Sequence, residues 1–307
     1  MKENYNLLEA EESEIIYNLY GAKMSGASIA LGDFTIYNLD LSINELISKY
    51  SAFADKHAYL QTHKSKLLLG IKVEGTDFAQ SLKSADKLCE TFENAFRYML
   101  PDFAQRRRIG VLSFADWTTT NVLVCNKNGI GLRGTSNPYK LVNIDDPFFI
   151  DSSQGNDKIW ILITKKNKSE IENRILNSIE WIGKAVQEKD SSKSLVQLIF
   201  AIEGMLQLSN KGELIVPSIV QHMSEWLAFI IQDNSEERIK IVKHFKKVYE
   251  KRSAVAHGRI NEVSDNDLSV ALQLAKLMVI SFLTRKPFCE MSKMEEVRVH
   301  VEKLKFQ

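Results

Sequence analysis

Residues 248–260 read VYEKRSAVAHGRI, and they place a charged residue where an apolar stripe should continue. In the helix expected after Ser235, Ile241, Phe245 and Val248 recur at spacings of four and three, and the next member of that stripe is Arg252. A guanidinium there is directed at an interface, which costs free energy unless an anion or a carbonyl meets it. Ser253 and His257 lie four apart and so share a neighbouring face, one turn from each other. Gly258 then permits a left-handed helix end. On an ideal helix Arg252 and His257 are separated by about 140° and about 7.5 Å of rise. They need not converge within one copy. Two copies packed about a two-fold axis beside this helix would bring two arginines and two histidines into one cleft.

Such a cleft suits cleavage of RNA without a metal. A neutral imidazole takes the proton from a ribose 2′-hydroxyl, and a protonated one gives a proton to the leaving oxygen. A guanidinium binds the pentavalent phosphate as negative charge accumulates, and a serine hydroxyl orients either group. DNA lacks the 2′-hydroxyl and is excluded. The structural alternative is an arginine capping carbonyls and a histidine at a helix terminus, where the dipole favours its charge. Arg238 and His244 repeat the pattern in the same helix, but Ile239 follows that arginine and Lys243 precedes that histidine. We read that pair as lying on a solvated face.

Helices are expected around this segment from Ser169 onward. Ile171, Ile175, Ile179, Ile182 and Val186 mark one amphipathic helix, and EKDSSKS (188–194) reads as a linker. Leu195, Leu198, Ile199, Ile202, Met205 and Leu206 form a wide apolar face on the next helix, which SNKG (209–212) ends. SIVQHMSEWLAFIIQ follows, and DNSEER supplies a cap and first-turn acids for the helix that carries Arg252. Ser264 and Asp267 make a capping-box pattern for LSVALQLAKLMVISFL, which is apolar nearly all round and is therefore deeply buried or shared with a second chain. In the tail, VRVHVEKLKF alternates like a strand through Val297, Val299 and Val301.

The first 165 residues mix both periodicities. ASIALGDFTIYNL (28–40), KLLLGIKVEG (66–75) and KIWILIT (158–164) read as extended, and Asn128-Gly129 signals a hairpin. Helical spacing runs through 41–60 and 77–100. The expected fold class is α+β: a mixed N-terminal domain over 1–165, then a helical domain over 166–307 with a connecting helix and a strand-like tail.

Apolar residues make up 44% of the 307-residue chain and charged residues 26%, the composition of a globular protein. A net charge of +1 provides no global field towards nucleic acid or membrane, so any polyanion site must be local. The three cysteines are far apart and lack metal-ligand spacing, which suits a reducing compartment. The start, MKENYNLLEAEESE, lacks the apolar core of a secretion signal, and the longest apolar run, 277–283, is too short to span a bilayer. A cytoplasmic protein without a membrane partner, metal or cofactor is expected.

The stretch from Ser194 through AIEGML, KGE, SEER and VYEKRSAVAHG resembles a bacterial HEPN domain of the ApeA-like branch over about residues 194 to 287. The resemblance implies a four-to-five-helix bundle that dimerises, with Arg252 and His257 as the catalytic pair and Ser253 at the polar position after the arginine. It also implies an RNase acting as a toxin or as an anti-phage defence effector, with RNA as substrate and an antitoxin or defence protein as partner. Some such domains only dimerise or bind a nucleotide or partner protein. Similar domains often carry an arginine where this chain has Gln221 and His222.

Glu203, at the edge of an apolar face, is a candidate to hold Arg252 in place, or else an ordinary ion-pair partner. Arg106, Arg107 and Arg108 in QRRRIG, together with Arg259, are candidate RNA-phosphate contacts, as is the run KKNK (165–168); a solvated loop is the plainer reading. Asp145, Asp146, Asp151 and Asp157 match no metal-ligand spacing, and GIGLRG (129–134) lacks a phosphate-loop lysine.

Overall fold

The computed structural model describes residues 11–50, 53, 66–100, 109–112, 122–126, 129–133, 141–207, 219–258 and 262–306. Contacts divide the chain into two compact units. One takes the described residues of Met1–Glu93 and Arg106–Asp146, the other those of Asn94–Gln105 and Pro147–Gln307. The architecture is α+β, an antiparallel sheet unit followed by a helical one. The division falls after Asp146, upstream of the residue 165 boundary expected from composition.

In the first unit the strands are β1 (Glu11–Leu19), β2 (Ala22–Lys23), β3 (Ser28–Leu31), β4 (Phe34–Asn38) and β5 (Leu67–Gly75), with helix α1 (Leu39–Lys49) between the last two. Four of them form an antiparallel sheet in the order β1-β5-β4-β3. The β3–β4 hairpin turns through Gly32 at φ +63°, with Leu31 paired to Phe34. Successive side chains face opposite sides of the sheet. Tyr37 and Leu68 pack with Leu39 and Leu46 of α1 on one face. From the other face Phe34 meets Phe92 of α2 (Phe78–Met99), with ring centroids 5.1 Å apart. Covered on both sides, Leu67 to Ile71 of β5 are all buried, which is why this strand reads as an apolar run without alternation.

A polar cluster sits on the α1 face. The buried Glu14 carboxylate accepts from the Tyr37 hydroxyl at 2.8 Å, from Lys49 Nζ at 2.7 Å and from the Tyr50 hydroxyl. Gly70 makes the room: a methyl there would stand 2.9 Å from the Tyr37 ring and closer still to the Glu14 carboxylate. Strands β6 (Val122–Asn126) and β7 (Gly129–Arg133) pair antiparallel with Asn126 opposite Gly129, the expected hairpin. Strand β8 (Val142–Asn143) runs parallel to β2.

The second unit contains α3 (Asn156–Thr164), α4 (Glu170–Gln187), α5 (Ser191–Leu206), α6 (Ile219–Ile231), α7 (Ser235–Ala256), α8 (Asp265–Thr284) and α9 (Met294–Lys305). Two segments read as strands are helices. In KIWILIT the buried residues are Ile159, Trp160, Leu162 and Ile163, joined by Asn156, while Ile161 is 66% exposed; that is helical spacing. A short apolar run rich in isoleucine does not distinguish a buried strand from a buried helix. The valine alternation of the tail is likewise overridden. Helix α9 buries Met294, Val297 and Val301, leaves Val299 40% exposed, and pairs Arg298 with Glu295 and Glu302 along its outer face. The linker expected at 188–194 shrinks to three residues, because α5 begins at Ser191 with Asp190 as its cap.

Helix α8 packs against α4, α5, α6 and α7 and is the centre of the unit. By length and composition it is also the one helix among the described residues apolar enough to cross a membrane, and 61% of its apolar window is buried inside the fold. Buried Ser178 and Ser194 hydroxyls each donate at 2.8 Å across the α4–α5 contact, to Ala201 O and Ala185 O. Arg174 of α4 donates to the carbonyls of Gly204, Met205 and Gln207, satisfying the end of α5.

Candidate functional site

Helix α7 buries Ile241, Phe245 and Val248, the stripe expected from the sequence, and Arg252 follows one turn later. Its guanidinium lies between the rings of Phe200 and Tyr249, 5.3 and 5.5 Å from their centroids. Nη2 donates to Glu203 Oε2 at 3.0 Å, and the Tyr249 hydroxyl donates to Glu203 Oε1 at 2.9 Å. Each oxygen of the Glu203 carboxylate thus takes one hydrogen from α7. The pair is neither sealed nor free, with side-chain exposures of 21% for Arg252 and 18% for Glu203. Arg252 Nε is buried without a hydrogen-bond partner, so at least one donor of the fork is unspent. Burial, and then the bond to Glu203, push the Tyr249 hydroxyl up and keep it protonated. The Trp181 ring meets Phe200 edge-on at 5.3 Å, with Lys184 over the indole.

The turn that carries His257 is fixed from two directions. Lys251, next to Arg252, pairs with Asp267, whose carboxylate also accepts from the N–H and hydroxyl of Ser264 in the expected capping box. Consecutive cations of α7 therefore reach α8 and α5. His257 ends the helix, its N–H donating to Ser253 O at 3.1 Å, and Gly258 follows at φ +67°, where an added methyl would meet nothing within 4 Å. The imidazole of His257 is exposed and Ser253 is half-buried. Four apart at the helix end, Ser253 and His257 lie one turn from each other, while Arg252 is directed at α5.

Other candidates have plainer roles. Arg238 is half-buried at the α6–α7 turn, where its Nε donates to Gln232 O at 2.8 Å and its guanidinium stacks 4.1 Å from the Phe229 centroid; His244 is exposed. Lys165 pairs with Glu172, and Lys168 donates to Lys165 O. Asp145 accepts from Ser25, and Asp151 from Ser153, as loop chemistry would have them. Arg106, Arg107, Arg108 and Arg259 lie outside the described residues. A groove of about 550 Å³, lined by Ile161, Leu162, Ile171, Ile175, Phe282 and Leu283 among others, takes in Lys165 of the KKNK run but none of Arg252, Ser253, His257 or Glu203.

Tyr249, Phe200 and Lys251 escape the sequence reading. Tyr249 lies three residues before Arg252 and Phe200 three before Glu203, a spacing that puts each on its partner's face, but only the packing of α5 on α7 gives that proximity meaning. Comparison with family models, with curated proteins and with solved structures finds no match for this chain.

Proposed function

We propose that the chain is a metal-independent endoribonuclease of the HEPN type, acting in the cytoplasm as a homodimer and serving as a toxin or anti-phage defence effector. The observation that carries this reading is the exposed His257 at the end of α7, five residues after an arginine whose guanidinium is oriented by Glu203 and two aromatic rings. In a dimer paired beside α7, His257 serves as general base towards the 2′-hydroxyl and the imidazole of the second copy as general acid. Arg252 meets the phosphorane with the donors that Glu203 leaves, and Ser253 orients the phosphate. An antitoxin or defence partner would restrain or recruit this activity.

Glu203 occupying the Arg252 fork favours a second reading, a module that dimerises or binds a nucleotide or partner protein without catalysis. The two readings separate on one assay. RNA is incubated in chelator with the wild type, Arg252→Ala and His257→Ala. The enzyme reading expects cleavage that falls by about 10² to 10⁴-fold in His257→Ala and about 10² to 10³-fold in Arg252→Ala. Equal cleavage by all three overturns it. Intact RNA throughout, with dimers retained in both variants, establishes the binding module.

A further inference from the structure

The near-neutral chain concentrates its positive charge on the helix that ends at His257. Between Arg238 and Arg252 stand seven lysines or arginines and one acid, Glu250, against a net charge of +1 for all 307 residues. The fold uses five of those cations internally. Arg238 closes the α6–α7 turn, Lys240 pairs with Glu237, Lys246 donates to Gln221, Lys251 binds Asp267 and Arg252 binds Glu203. Lys243 and Lys247 are left: both are exposed, and neither makes a side-chain bond to the described residues. They stand one turn apart, about 6 Å along the axis, on the face opposite the buried Phe245, with the exposed His244 beside them. On an ideal helix both lie within about 80° of His257, and Lys247 precedes it by about 15 Å of rise.

We infer that the outer edge of α7 is a phosphate track, on which Lys243, Lys247 and His244 hold a single-stranded RNA several nucleotides from the His257 end. This rests on the ribonuclease reading for the identity of the polymer. The chemistry is that of backbone recognition: unpaired, solvated ammonium groups release counterions when they meet phosphates, without reading sequence. A strand held there runs along the helix axis towards the turn that Lys251 and Arg252 fix. Glu250, exposed between Lys247 and His257, interrupts the positive run and weakens the track at that point.

The test measures binding apart from cleavage. A single-stranded 12-mer RNA with every 2′-hydroxyl methylated is titrated against the full chain over a range of salt. Lys243→Gln/Lys247→Gln should weaken binding by on the order of tenfold at moderate salt and flatten the slope of log affinity against log salt by about 1.4, the loss of two phosphate contacts. Glu250→Lys should tighten binding. Lys83→Gln/Lys87→Gln, an equally spaced exposed pair on α2, should leave it unchanged. Equal affinity for the α7 double variant and the wild type overturns the track, and so does an equal loss in the α2 control. With cleavable RNA, the α7 variant should lose rate on the 12-mer but not on a dinucleotide, which is too short to span the interval. Methylated RNA held through Lys243 and Lys247 by a protein that never cuts RNA would leave the track standing and remove the ribonuclease reading instead.

Discussion

Two adjacent side chains on α7, Lys251 and Arg252, point to different neighbours and together decide where His257 stands. The Asp267 end of that clamp has a measurable signature. Burial pushes the Asp267 carboxyl up, but Lys251 and the Ser264 hydroxyl and N–H outweigh it and bring the group down to about 2, below its ordinary 3.8. Because the folded value lies below the unfolded one, the stabilisation is complete above about pH 4 and drains away as the pH falls towards 2. Asp267→Asn should therefore cost about 2 kcal/mol near neutral pH and much less near pH 2, as read by unfolding monitored at several pH values. Identical acid sensitivity in the variant and the wild type would show that the carboxylate carries none of it. At this scale Arg252 announces itself in the sequence, because a charge in an apolar stripe breaks an otherwise regular period. Its partner Glu203, 49 residues away, is legible as a candidate acid to hold Arg252, and the ion pair joins the two, although nothing local separates that role from an ordinary ion pair.

Elements were legible where one period had no rival. The stripes of α4, α5 and α7 emerge with the residues expected of them because apolar side chains at three-four spacing bury one face, and the caps Asn234 and Ser264 mark the starts of α7 and α8. The tail is ambiguous in the sequence because Val297, Val299 and Val301 satisfy a strand period while Met294, Val297 and Val301 satisfy a helical one; the ion pairs from Arg298 at i−3 and i+4 favour the helix. The two arrangements predict different costs. In the helix Val297 is fully buried and Val299 is not, so Val297→Asp should destabilise by about 3 kcal/mol and Val299→Asp by less than about 0.5 kcal/mol in denaturant unfolding. A strand would put both valines on one side and make the two substitutions alike.

At the scale of the whole molecule, composition limits the function more than it specifies it. A net charge of +1 hides a strongly basic α7, because acids elsewhere cancel it; totals cannot reveal a field that depends on which helix carries the cations. The all-round apolarity of α8 allows either a core or a shared interface, and four helices pack around it within one copy and bury most of its apolar window. The proposed dimer is therefore expected beside α7, where the proposed chemistry needs it. The grouping of the described residues of Asn94–Gln105 with the helical unit is not legible in the sequence: Gly183 of α4 sits against the Asn94 backbone, where a methyl would come within 2.5 Å of the carbonyl oxygen.

In the proposed chemistry RNA is cut by its own 2′-hydroxyl at the end of α7, and the termini of the products report on it directly. Mass analysis of RNA treated with the wild-type chain in chelator should find 2′,3′-cyclic phosphate and 5′-hydroxyl ends, which His257→Ala does not produce. Ends bearing 5′-phosphate and 3′-hydroxyl, or RNA that stays intact at high protein concentration, would contradict it.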